Sequence, residues 1–189
     1  MKIFKLTTLC MLTMGIGQIT FAEQQRATLP QLDSKTITTQ CDAQIATVKV
    51  KLAAFAKMPL QNNALARWDQ IFAEFEDFIG PVGFYSNVNP SAEVRQAADD
   101  CEVKINQYQT EIYQDAALYQ QIKKIKTTND IDAKYRQDIL NDFEDMGIQL
   151  SKDQQARLKI ILDNLTKIEQ EFARNIRDNP EKVEFSADE

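Results

Sequence analysis

The sequence predicts an all-α fold, an antiparallel helical bundle or helical hairpin array of about five to six helices. Three observations predict it. Apolar residues recur at steps of three and four through most of the chain, and no segment alternates with period two. Glycine and proline are scarce beyond residue 22: only Gly80, Gly83 and Gly147, with Pro30, Pro59, Pro81, Pro90 and Pro180, punctuate the periodic runs. The connections between those runs are short, which favours antiparallel neighbours.

Residues 1–22 have the layout of a signal peptide. Lys2 and Lys5 precede an apolar stretch from Leu6 to Ile19, and the small residues Thr20 and Ala22 flank Phe21. A membrane span needs about 20 predominantly apolar residues, so the stretch is read as a removable leader. Cys10 lies inside it, preceded by Leu9, which disfavours lipidation. The exported chain is expected to be periplasmic or secreted, with no membrane attachment once the leader is gone.

Residues 23–37 read as an extended or disordered lead-in, and the helical domain is placed at 38–179. Cys41, Ile45, Val48, Leu52 and Phe55 mark one face of a first helix, Thr38 to Lys57, which Pro59 follows. A second helix, Gln61 to Ile79, carries Leu65, Trp68, Phe72, Phe75 and Ile79. Gly80 and Pro81 are expected to stop it. Phe84 and Tyr85 then fall in a loop, where they either pack the loop or touch a partner or peptide. Asn89 is expected to cap a third helix opening at Pro90, with Val94, Cys101, Ile105, Tyr108 and Ile112 inward. A bend or break near Gln114 and Asp115 leads to a shorter piece with Ala117, Leu118, Ile122 and Ile125. A fifth helix follows the capping residues around Asn129, with Ile131, Tyr135, Ile139, Phe143 and Met146 inward and Gly147 closing it. Ser151 and Gln154 form a capping-box signature for a sixth, in which Leu158, Ile161, Leu165, Ile168, Phe172 and Ile176 sustain the spacing. Residues 180–189 form a short acidic tail.

Charge and residue usage narrow the chemistry. Without residues 1–22 the chain keeps 20 basic against 28 acidic residues, a net charge of −8 that disfavours a nucleic-acid partner. Cys41 and Cys101 remain, and an oxidising compartment makes them a candidate disulfide, with a pair of buried thiols as the alternative. Closing a loop of about 60 residues restricts the unfolded chain by roughly 4 kcal/mol.

The chain has no histidine. That removes zinc sites of the His-Glu-x-x-His type and the serine and cysteine triads that use an imidazole base. No catalytic residue and no metal ligand is assigned. The acidic groups Glu74, Glu76 and Asp77, then Asp99, Asp100 and Glu102, then Asp142, Glu144 and Asp145 read as solvated helix faces, since none has the glycine and alternating ligands of a calcium loop. Lys123, Lys124 and Lys126 suit the last turn of a helix.

Three stretches together resemble the amino-terminal helical region of the thimet-oligopeptidase family of zinc metallopeptidases, which includes oligopeptidase A and dipeptidyl carboxypeptidase. They are the run from Asn87 through Pro90 and Arg95 to Ala97; Ala117 to Tyr119; and the series Tyr135, Arg136, Phe143, Gly147, Leu150, Gln155, Arg157, Leu158, Glu171, Phe172 and Asn175. The resemblance implies helices that wall a channel in a peptidase acting on short peptides, with zinc held by residues downstream of the matched region. No position here corresponds to those ligands, so no cofactor is expected on this chain. The expectation is therefore an exported, truncated or split member of that family, inactive alone. The alternatives are a stand-alone helical module that binds peptides or proteins, and a non-catalytic partner of a separately encoded catalytic chain.

Overall fold

The computed structural model describes residues 29–61, 63–179 and 181, so the leader expected at 1–22 and nearly all of the acidic tail lie outside the described residues. Six helices make up the described fold, with no strand among those residues: α1 (Ser34–Phe55), α2 (Ala64–Val88), α3 (Ala92–Tyr113), α4 (Ala116–Lys124), α5 (Asp130–Asp145) and α6 (Lys152–Arg177). The all-α expectation holds. No described helix is long and apolar enough to cross a membrane.

Helix α3 is the central element, packed by α1 and α2 on one side and by α6 on another, while α4 and α5 pair across its end. Its inward residues Val94, Ala98, Cys101, Ile105, Tyr108 and Ile112 meet Ile37, Cys41, Val48, Leu52 and Phe55 of α1, and one contiguous core results. Cys41 and Cys101 are joined as a disulfide that staples α1 to α3, their Cα atoms 5.8 Å apart. At the other end Trp68 of α2 is buried among Phe55, Phe72 and Phe143, with ring centroids 5.4, 4.8 and 6.0 Å away.

Several boundaries and faces of the helices differ from the sequence-based expectation. Helix α1 begins at Ser34, inside the expected lead-in, because Asp33 accepts a hydrogen bond from the Thr36 amide at 2.7 Å and Ile37 is fully buried. Helix α2 runs through Gly80 and Pro81 to Val88. The proline removes one backbone donor, but burial of Phe78, Val82 and Tyr85 carries the helix past it. Asn89 does not cap α3. Its side chain accepts from the Ser91 amide at 2.9 Å, and Ser91 is the cap, accepting from Val94. Ile131 is exposed in the first turn of α5, beyond the reach of the core.

The remaining joints follow the expected chemistry. Asp115 caps α4 through the amides of Ala117 and Leu118. Gly147 has φ of +78° and ends α5 with the Ile148 amide bonded to the Phe143 carbonyl at 3.0 Å, a left-handed closure that glycine alone adopts freely. Ser151 and Gln154 form the reciprocal capping box of α6.

Candidate functional site

The feature that sets this molecule apart is the orientation of α6. Successive residues of a helix are turned by about 100°, so Leu158, Ile161, Leu165, Ile168, Phe172 and Ile176 form one continuous stripe. From Ile161 onward that stripe faces solvent: Ile168 is 63% exposed, Phe172 66% and Ile176 63%, while Leu158 at its start is half-buried. The spacing marks an apolar face without saying what covers it, and the bundle does not. The only buried residue of α6 is Gln155.

The opposite face of α6, which is polar, lies on α3. Gln170 donates to the Asp99 carbonyl at 2.8 Å, and Lys159 reaches Glu111 at 4.0 Å. Arg177 pairs with the Asp99 carboxylate at 3.3 Å, with Arg174 at 3.9 Å from the same group, and Arg177 also donates to the Ser86 carbonyl at the end of α2. Arg95 and Asp178 close the far end at 3.2 Å. Of the cluster that the sequence suggests is a solvated face, Asp100 is exposed and Glu102 half-buried, but Asp99 is only 4% exposed. A buried carboxylate demands a partner, and α6 supplies two guanidinium groups.

The charges in this seam tune one another. A hydrogen bond to Asp178, then those to Asp99, raise the Arg177 guanidinium further above its ordinary value, against the opposing effect of burial. The same bond from Arg177 holds the Asp178 carboxyl below the usual range. Burial pushes the neighbouring Glu102 carboxyl up, while the Ser86 hydroxyl, donating at 3.3 Å, opposes the shift.

The two residues expected to sit in a loop and contact a partner are instead in α2, and they point apart. Tyr85 is buried and its hydroxyl donates to the Pro30 carbonyl, which holds the segment before α1 against the bundle. Phe84 is 48% exposed, with its ring edge-on to Tyr85. Cys41 and Cys101 come together as a bond in the core, remote from any open surface.

A cleft of about 550 Å³ opens between α1 and α2, lined by Phe55, Met58, Arg67, Ile71 and Glu74 among others. Its charged groups are already engaged: Lys51 donates to Glu74, holding that carboxyl below its usual range, and Arg67 leans on the Met58 sulfur. Nothing in the cleft pairs a nucleophile with a base. Among the described residues no group of three or more Cys, Asp or Glu side chains comes together to hold a metal ion, and the sequence has no histidine to add. The donor set therefore does not fit the zinc that the family resemblance implies.

Several residues that carry the resemblance are joints of the fold. Arg95 donates to the carbonyls of Asn89 and Pro90 across the turn between α2 and α3. Arg136 donates to the carbonyls of Ile122 and Lys123, satisfying the end of α4. Gln155 donates to those of Gly147 and Ile148. Tyr119 donates to Glu144 at 2.9 Å, tying α4 to α5.

The sequence that folds this way is similar to part of several oligopeptidases. No protein-family model matches the chain. It is 25% identical over 136 residues to the thimet-like oligopeptidase of Dictyostelium discoideum, which covers 67% of this chain and 20% of that protein. It is 29% identical over 119 residues to oligopeptidase A of Escherichia coli, covering 58% of this chain and 18% of that protein, and 29% identical over 104 residues to oligopeptidase A of Haemophilus influenzae, covering 52% and 15%. The chain thus spans no more than a fifth of the length of these curated relatives.

Proposed function

We propose that this chain is an exported, non-catalytic helical module of oligopeptidase type, one that acts by contact through its surface and not by breaking peptide bonds. The observation that carries the reading is the inversion of α6: a polar face is used to hold the helix on α3, and the apolar face is kept for something else. Exposed contiguous apolar surface of this kind marks interaction sites in soluble proteins. The complete lack of histidine supports the non-catalytic part, because the metal and nucleophile chemistries expected of a peptidase rely on imidazole. The leader-like residues 1–22 and the Cys41–Cys101 bond support export to an oxidising compartment.

The test is incubation of the purified protein with short quenched-fluorescence peptides, with zinc added. The reading expects no release of fluorescence above the blank. Sustained turnover that follows the protein through purification overturns it. Export is tested separately by N-terminal sequencing of protein recovered from outside the cytoplasm, where loss of the first 22 residues is expected.

A further inference from the structure

The geometry points to a second copy of this chain as the occupant of the outward face of α6, paired antiparallel about a two-fold axis near Asp163; the inference rests on the reading of this protein as a surface-acting module. The stripe has the spacing of a coiled-coil seam. Leu158, Leu165 and Phe172 fall at one set of heptad seam positions, and Ile161 and Ile168 at the other. From Ile161 to Ile176, about 22 Å, it is exposed and nothing among the described residues covers it, while Leu158 at its start is half-buried beside Gly147.

The residues flanking the seam select the partner and its direction. On one edge stand Arg157, Asn164 and Glu171, all exposed, and neither Arg157 nor Glu171 makes an ion pair among the described residues. In an antiparallel pair such edge positions meet their own kind across the axis. Arg157 then lies opposite Glu171 of the other copy, twice by symmetry, and Asn164 meets its counterpart at the centre. In the same register Ile161 packs against Leu165, and Leu158 against Ile168, again twice each. A parallel pair instead places Arg157 against Leu162 and Glu171 against Ile176, leaving both charges facing apolar groups. The charge pattern is self-complementary in the antiparallel direction alone, as a two-fold interface requires.

Sedimentation equilibrium of the purified protein tests this, with four charge variants as its arms. The wild type is expected to show twice the chain mass at concentrations where Ile168→Asp, an exposed change, shows the single-chain mass with unaltered helical circular dichroism. Arg157→Glu and Glu171→Arg alone each oppose like charges at two points and are expected to weaken pairing roughly tenfold or more. The double variant restores both pairs and is expected to recover the dimer. So is an equimolar mixture of the two single variants, since their hetero-pair is again complementary. A monomeric wild type overturns the proposal, as does a dimer indifferent to Ile168→Asp or a mixture that fails to recover. A monomer that cleaves no peptide leaves the non-catalytic reading standing, whereas zinc-dependent cleavage removes that reading whatever the mass.

Discussion

Arg177, in the last turn of α6, crosses to α3 and places its guanidinium 3.3 Å from the buried carboxylate of Asp99. The pair is the polar anchor that lets α6 sit on the bundle with its apolar side outward. Removing one partner of a buried pair leaves the other charge without compensation, so Asp99→Ala is expected to lower stability by about 3 kcal/mol in urea denaturation. Lys134→Ala, which breaks an exposed ion pair with Asp138 one turn away, is expected to cost about 0.5 kcal/mol or less. Equal effects from the two variants contradict the anchoring role.

The bond between Cys41 and Cys101 joins residues 60 apart in sequence. Replacing both with serine is expected to lower stability by about 4 kcal/mol through the added freedom of the unfolded chain. Chemical denaturation under non-reducing conditions measures this. An unchanged midpoint would show that the bond is absent or idle.

Gly147 turns the chain between α5 and α6 in the left-handed region, and a Cβ there meets Leu150 at 2.7 Å and Leu158 at 2.9 Å. Gly147→Ala combines backbone strain with displacement of those two side chains, and a loss of about 1–2 kcal/mol is expected. Gly80→Ala is the control, since it is helical and a Cβ there has no neighbour within 4 Å. It is expected to stabilise by about 0.5–1 kcal/mol.

Burial, first among the causes, pushes the hydroxyls of Tyr108, Tyr113 and Tyr135 up to about 12. The folded protein therefore holds these protons where the unfolded chain, with tyrosines near 10, has released them. Their contribution to stability is present below pH 10 and is lost as the pH rises through about 12. Ultraviolet titration of tyrosinate should show these three groups ionising late or together with unfolding. A single transition of all five tyrosines near the ordinary value, with the fold intact, contradicts the burial.

Much of this fold is legible in the sequence, and the parts that are not share a physical reason. The spacing of Cys41, Val48, Leu52 and Phe55, the break near Gln114 and Asp115, the glycine at 147 and the box at Ser151 and Gln154 are local signals, and each leads to the observed element. Pro81 misleads because its local effect, one lost donor, is outweighed by the burial of Val82 and Tyr85, which only the tertiary contacts reveal. The stripe of α6 misleads differently. Periodicity identifies an apolar face but not what covers it, and here the bundle takes the other face. The counter-signal was the row Gln155, Lys159, Gln170, Arg174 and Arg177, long side chains at helical spacing on the reverse side, matched by acids on α3. The same local signal of Pro81 puts Phe84 and Tyr85 in a loop, whereas the continued helix makes Tyr85 a buried anchor and Phe84 an exposed ring.

Equilibrium dialysis against zinc, followed on the same sample by peptide cleavage with and without a chelator, tests the central claim most directly. A polypeptide devoid of imidazole, and without clustered acidic or thiol ligands among its described residues, is expected to retain far less than one tightly bound zinc per chain and to release no product. One zinc held per chain, with proteolysis that the chelator abolishes, contradicts the account.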